Sequence, residues 1–196
     1  MTRLRLAILI SGRGSNMEAL LTAARDLAYP AEPVLVVSNR PGAEGLERAA
    51  RFAVETATID HKPFGKDREA FERAMDGTLR AARVDVIALA GFMRVLTPWF
   101  VQQWDGRMVN IHPSLLPKYP GLDTHRRALE AGDTEHGCSV HWVSEGVDRG
   151  ALIDQASVPV LPDDTPQSLE LKVREQEHVL YPAALAKACQ QLIGRT

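Results

Sequence analysis

The sequence predicts an α/β fold: a doubly wound, mainly parallel sheet with helices on both faces and an antiparallel addition at its C-terminal end. Three observations predict it. Short apolar runs at Leu4 to Ile10, Pro33 to Val37, Val54 to Ile59, Val84 to Ala90 and Arg107 to Ile111 alternate with segments of helical periodicity, the rhythm of βαβ units with right-handed crossovers. The first and fourth runs are apolar throughout but for Arg5 and Asp85 near their starts, as in strands covered on both faces. From Gly137 onward, Val140 and Trp142, then Val158 and Val160, alternate with other residues on either side of a turn-rich segment, which suits antiparallel strands.

With 196 residues, the chain is expected to form one domain over 1–196, burying roughly 70% of its unfolded surface. A content of 45% hydrophobic and 24% charged residues with a formal net charge of -2 leaves no electrostatic footprint for nucleic acid or an anionic membrane. Small-molecule partners are expected instead. Cys138 and Cys189 have no paired spacing, which points away from a disulfide framework or a zinc site and toward a reducing, cytoplasmic setting. The apolar run Leu6 to Ile10 is too short for a signal peptide core or a membrane span. Six histidines form neither HExxH nor a cluster with cysteine, so no metal is expected.

Taken in order, the first strand ends abruptly in Ser11-Gly12-Arg13-Gly14-Ser15-Asn16, ahead of a helix from about Met17 to Asp26. Strand, glycine-rich turn and helix start make an anion site, because glycines let the backbone approach a phosphate and the first helical N–H groups point at it. A plain tight turn with Ser15 or Asn16 as N-cap also fits. Met17 occupies the third-glycine position of a dinucleotide fingerprint, Ser38-Asn39-Arg40 offers no acid for a ribose, and no GK[ST] follows. The turn therefore suits a mononucleotide-type phosphate, not NAD or ATP. Helices are expected over Gly45 to Phe52 and Asp67 to Ala82, the latter with Phe71, Met75, Leu79 and Ala82 on its core face.

The strand Val84 to Ala90 is broken by Gly91-Phe92-Met93-Arg94-Val95-Leu96 before Thr97-Pro98 opens a helix. These residues could line a pocket for a flat ring, with Arg94 for an anionic tail, or form an ordinary packed loop. In Asn110-Ile111-His112-Pro113-Ser114-Leu115-Leu116-Pro117, residues i and i+2 of an extended chain share a face, so Asn110 and His112 point together. Pro113 keeps His112 out of the helical region, at a strand end where open parallel sheets keep their chemistry. Local bonding to loop backbone would equally employ both residues. The proline-punctuated loop Pro117 to Leu122 leads to a short helix, His125 to Ala131. Asp148 lies in the loop Ser144 to Gly150, a turn-former unless a cation faces it. Thr165 to Gln191 reads as an amphipathic helix carrying Leu169, Val173, Val179 and Leu185, interrupted at Tyr181-Pro182.

Four pieces, Ile10 to Asn16, Leu89 to Arg94, Asn110 to Gly121 and Gly137 to Asp148, together resemble the phosphoribosylglycinamide formyltransferases, the glycinamide ribonucleotide transformylases of the folate-dependent formyltransferase superfamily. The resemblance covers almost the whole chain. The Asn-x-His-Pro-Ser-Leu-Leu-Pro element is specific to folate-dependent formyl transfer; methionyl-tRNA formyltransferases share it but add a basic C-terminal domain, and formyltetrahydrofolate deformylases usually carry an extra N-terminal domain. The resemblance implies transfer of the formyl group of 10-formyltetrahydrofolate, a co-substrate, to the amine of glycinamide ribonucleotide. It implies catalytic roles for Asn110, His112 and Asp148, and a nucleotide phosphate on Gly14, Ser15 and Asn16. It also implies a glycinamide amine at Glu177, and folate contacts from Arg68, Met93, Arg94, Val95, Leu96 and Asn110. It leaves monomer and homodimer both open. Asp123 stands where many relatives have His, and Arg149 where they have Gly. Two other readings remain: a formyltransferase for a nucleotide amino sugar, which has no need of the Gly12 to Asn16 turn, and a non-catalytic folate or nucleotide binding module.

Overall fold

The computed structural model describes residues 3–194. Seven strands form one sheet in the order β3-β2-β1-β4-β5-β6-β7: β1 (Leu4–Ile10), β2 (Ala31–Ser38), β3 (Glu55–Thr58), β4 (Val86–Leu89), β5 (Met108–His112), β6 (Glu135–Trp142) and β7 (Leu152–Pro159). The pairings from β3 to β5 are parallel; β6 and β7 are antiparallel additions. The expected mixed, doubly wound sheet is what forms.

Alternation along β1 builds two cores. Leu6, Ile8 and Ile10 face α1 (Ser15–Ala23), α2 (Glu44–Ala50) and α6 (Pro166–Ile193), while Ala7 and Leu9 face α3 (Arg68–Ala81) and α4 (Pro98–Gln103). Consecutive residues of a strand point to opposite faces, so a run buried throughout needs helices on both sides. The short α5 (Thr124–Glu130) packs against α6. Sequence punctuation sets several helix starts: Asp67 caps α3 by accepting from Ala70 N (2.9 Å), and Thr165 and Ser168 form a reciprocal capping box on α6.

The last helix departs from expectation. Pro182 sits inside an unbroken α6 of 28 residues, although an interior proline removes one backbone hydrogen bond and typically costs about 3 kcal/mol. Packing carries the helix through: Leu180, Tyr181, Ala184, Leu185, Ala188 and Cys189 are all buried around it. The Tyr181 hydroxyl bonds to the carbonyls of Leu89 (2.9 Å) and Val109 (3.1 Å), tying the helix to β4 and β5. Val179, read as a core position, is instead 71% exposed. Cys138 on β6 and Cys189 on α6 are free and buried, and burial pushes both thiols up to about 12.

The chain runs out from β1 to β3 and returns to place β4 on the other side of β1. This reversal is a topological switch point, and in open α/β sheets the crevice beyond the strands' carboxyl ends at such a point is where ligands bind.

Candidate active site

Three chain segments meet at that crevice: the turn after β1, the loop after β4, and the end of β5. The turn is built around glycines. Gly14 has φ +74° and is itself the N-cap of α1, so neither Ser15 nor Asn16 takes that position. A Cβ at Gly14 would lie 3.0 Å from Gly45 Cα and 3.1 Å from Met17 Cε, while Gly45 N donates to the Gly12 carbonyl (3.0 Å). The first intrahelical bond of α1 is Glu18 N to the Gly14 carbonyl. The first-turn amides before Glu18 therefore have no acceptor within the helix and stay available to an anion. Asn16 Nδ2 donates to Glu177 Oε2 (2.8 Å), and Asn16 Oδ1 is buried without a partner. Burial raises the carboxyl pKa of Glu177, opposed by the bond from Asn16.

The loop after β4 runs from Gly91, at φ +78°, and presents Met93 (65% exposed) and Val95 (58% exposed) outward. Arg68 Nη1 reaches the Val95 carbonyl at 3.4 Å. The Arg94 guanidinium lies 5.7 Å from the Phe71 ring centroid, and Leu96 is half-buried against the α3/α4 core. The far end is closed by Glu72, a buried carboxylate that accepts from Thr97 N (2.8 Å) and from the Thr97 hydroxyl.

At the end of β5 the structure brings Asn110, His112 and Asp148 together. His112 Nδ1 is 3.2 Å from Asp148 Oδ2, and Asn110 Nδ2 donates to Asp148 Oδ1 at 3.5 Å. Asp148, at φ +53°, is held by the amide of Gly121, which donates to Oδ2 (2.9 Å). His112 Nε2 donates to the Tyr119 carbonyl (2.9 Å), since a carbonyl can only accept. Both ring nitrogens therefore face acceptors. Burial nevertheless lowers the His112 pKa and outweighs the raising effects of the Tyr119 carbonyl and Asp148. Asp148 thus favours the charged imidazole, and burial outweighs it. The Asp148 carboxyl is pushed up by burial, yet bonds from His141 and Gly121 and the nearby His112 bring it below its ordinary value.

The loop over the site is anchored from beneath. Leu116 N donates to Ser139 Oγ (2.9 Å), Ser139 Oγ donates to the Ser114 carbonyl (2.6 Å), and Thr124 Oγ1 donates to the Pro113 carbonyl (2.6 Å). The resemblance sets two further positions apart. Asp123 takes φ +58° ahead of α5 and pairs with Arg126 (2.7 Å), and Arg149 is exposed.

One residue escaped the sequence reading. His141 sits opposite Asn110 across β5 and β6 and is buried, with Nε2 3.1 Å from Asn110 Nδ2 and 3.6 Å from Asp148 Oδ1. Its Nδ1 donates to the Trp142 carbonyl (2.8 Å), which turns Nε2 toward the Asn110 amide and the Asp148 carboxylate. The available signal was a polar residue between Val140 and Trp142, on the face opposite theirs. Among the described residues no group of three or more His, Cys, Asp or Glu could hold a metal ion.

A family profile described as formyl transferase matches residues 4–185. Phosphoribosylglycinamide formyltransferase of Haemophilus influenzae is 44% identical over 92% of this chain and 85% of its own. The chain belongs to the phosphoribosylglycinamide formyltransferase family. The crystal structure of phosphoribosylglycinamide formyltransferase from Brucella melitensis superposes with a TM-score of 0.91 at 47% identity, covering 96% of both chains. The trifunctional purine biosynthetic protein adenosine-3 of Drosophila melanogaster is 55% identical over 94% of this chain, which spans only 14% of that longer protein. No helix among the described residues is long and apolar enough to cross a membrane.

Proposed function

We propose that the chain transfers the formyl group of 10-formyltetrahydrofolate to the amine of 5-phosphoribosylglycinamide, a step of purine biosynthesis, and that residues 1–196 act as one formyltransferase domain. The observation that carries this reading is the convergence of Asn110, His112 and Asp148 beside a glycine turn with open helix amides in a chain of this family.

Attack of the amine on the formyl carbon forms one C–N bond and places negative charge on oxygen. Asn110 Nδ2 is the donor for that oxygen. Breaking the second C–N bond requires a proton on the folate nitrogen, and His112 supplies it as general acid, turning from the Tyr119 carbonyl to do so. The amine sheds one proton and the leaving nitrogen takes one, so the exchange balances through His112. Asp148 orients His112 and favours its charged form, while His141 holds Asn110 in place. Gly14, Ser15 and Asn16 hold the nucleotide phosphate. The unpartnered Asn16 Oδ1 and the neighbouring Glu177 carboxyl suit an N–H donor such as the glycinamide amine. Arg68, Met93, Arg94, Val95 and Leu96, with Asn110, face the folate.

We further propose that the enzyme works in the cytoplasm without a metal, as a monomer or homodimer, with neither nucleic acid nor membrane as partner. Appearance of tetrahydrofolate from 10-formyltetrahydrofolate only when glycinamide ribonucleotide is present is the deciding assay. Turnover with a nucleotide amino sugar instead would select the other formyltransferase reading, and binding without turnover would leave a binding module.

Gly14→Val tests the nucleotide site separately. A side chain there meets both a positive φ and the Gly45 backbone, so the Michaelis constant for the ribonucleotide is expected to rise at least ~10-fold, with that for folate little changed. Equal changes in both constants would detach the phosphate from this turn.

A further inference from the structure

Between the nucleotide turn and the loop after β4 runs a buried polar chain with no part in the steps above. Ser11, 3% exposed, follows the last residue of β1. Its backbone N–H donates to the Gly91 carbonyl (3.2 Å). Its hydroxyl accepts from Met93 N (2.8 Å) and donates to Asn39 Oδ1 (2.5 Å). Asn39, 1% exposed, follows β2 and is held in turn by His61. The His61 ring Nδ1 lies 2.8 Å from the Asn39 carbonyl and 3.2 Å from Asn39 Nδ2, and His61 N donates to the same carbonyl (3.4 Å).

The proton positions follow from what each atom can do. An amide oxygen cannot donate, so the single hydroxyl proton of Ser11 goes to Asn39 Oδ1, and its lone pairs are left for Met93 N–H. Asn39 thereby sets the rotation of the Ser11 hydroxyl. The side chains of Phe92 and Leu96 pack against the α3/α4 core and the Arg94 guanidinium lies over the Phe71 ring, but these contacts hold side chains. The loop's backbone is tied to the end of β1 by the two Ser11 bonds, and the next described hydrogen bond to it is that of Arg68 to the Val95 carbonyl at 3.4 Å. Ser11 also adjoins Gly12, whose carbonyl is bound by Gly45 N. One residue thus joins the backbone of the nucleotide turn to the backbone of the loop assigned to folate.

We propose that Ser11 and Asn39 are positioning residues for the formyl donor: they fix the backbone of Gly91 to Leu96 against the end of β1, so that the donor site is preorganised on the same rigid element as the nucleotide site. This deepens the function proposed above and rests on its placement of folate. The nucleotide turn has its own supports in Gly45 and α1, so loss of the Ser11 hydroxyl should reach the donor first.

The test is calorimetric titration of the full chain with tetrahydrofolate and, separately, with glycinamide ribonucleotide, together with steady-state kinetics. Ser11→Ala leaves the Met93 N–H without its acceptor and is expected to weaken tetrahydrofolate binding and raise the donor Michaelis constant by about tenfold, with ribonucleotide affinity within about twofold and kcat changed less than the Michaelis constant. Asn39→Ala keeps the hydroxyl but frees its rotation, and should produce a smaller loss toward the same ligand. Tyr29→Phe, which removes a distant hydroxyl bond to the Pro182 carbonyl, controls for a general loss of stability and should alter neither affinity. Equal weakening of both ligands, or donor affinity within twofold of the unaltered chain in Ser11→Ala, would overturn the link while leaving the reaction intact. Failure of the unaltered chain to bind tetrahydrofolate would overturn both the link and the donor site it serves.

Discussion

Asn110→Ala is expected to remain folded, to bind both substrates, and to turn over roughly a hundredfold to a thousandfold more slowly, the usual cost of losing one donor to a developing oxyanion. The structure makes the substitution a clean one. The Asn110 side chain is half-buried at the end of β5, and its Nδ2 lies 3.1 Å from His141 Nε2 and donates, over a long 3.5 Å, to Asp148 Oδ1. The weaker of these bonds is the one an oxyanion would replace. Truncation also leaves His141 Nε2 without its Asn110 partner, so a modest fall in melting temperature should accompany the loss of turnover. Steady-state kcat with unchanged Michaelis constants is the measurement, and near-normal turnover would return Asn110 to a purely local role.

Asp148→Asn should act through the proton on His112. In the intact site, burial depresses the imidazole pKa and the carboxylate works against that depression. Removing the negative charge leaves only the Tyr119 carbonyl to oppose burial, so the His112 pKa should fall further, the alkaline limb of the rate profile should move toward acid, and turnover at neutral pH should drop by at least ~10-fold, the general-acid contribution being typically a hundredfold or more. The sign for folding is also determined. A histidine with a depressed folded pKa contributes stability that is fully present above its unfolded value near 6.5 and is lost as pH falls below that value toward the folded one. The variant should therefore lose more of this contribution on acidification than the parent does. NMR titration of His112 in both proteins decides the case: an equal or higher value in the variant would leave Asp148 as a turn residue.

The parts of this molecule that were legible in the sequence are those written locally. Continuous apolar runs fixed the strands that are buried on both faces, and Gly14 and Gly91 marked turns whose positive φ the structure shows. The alternation of Asn110 and His112 put both on one end of one strand. What was not legible depends on contacts between distant segments. His141 acquires its place only from the antiparallel register that sets it opposite Asn110, a pairing separated by 31 residues. Asp148 is aimed at His112 by the amide of Gly121, and no local pattern announces that bond. The balance at His112 was not legible, because a neighbouring charge can be guessed from a motif, whereas the depth of burial comes from the whole fold. Pro182 misled for the opposite reason: the local rule is sound, but the buried residues on either side of it offset the penalty.

The two thiols provide a clock for the opening of the fold. Cys138 and Cys189 are fully covered and held almost entirely protonated at neutral pH, while alkylating reagents attack the thiolate. Modification must wait for the chain to part locally, and its rate then reports the population of opened molecules. Because one cysteine lies in the antiparallel extension of the sheet and the other near the end of the long helix, the order in which they take up label separates peeling of the sheet's edge from detachment of the helix. Labelling at equal rates would mean that both give way in a single cooperative event.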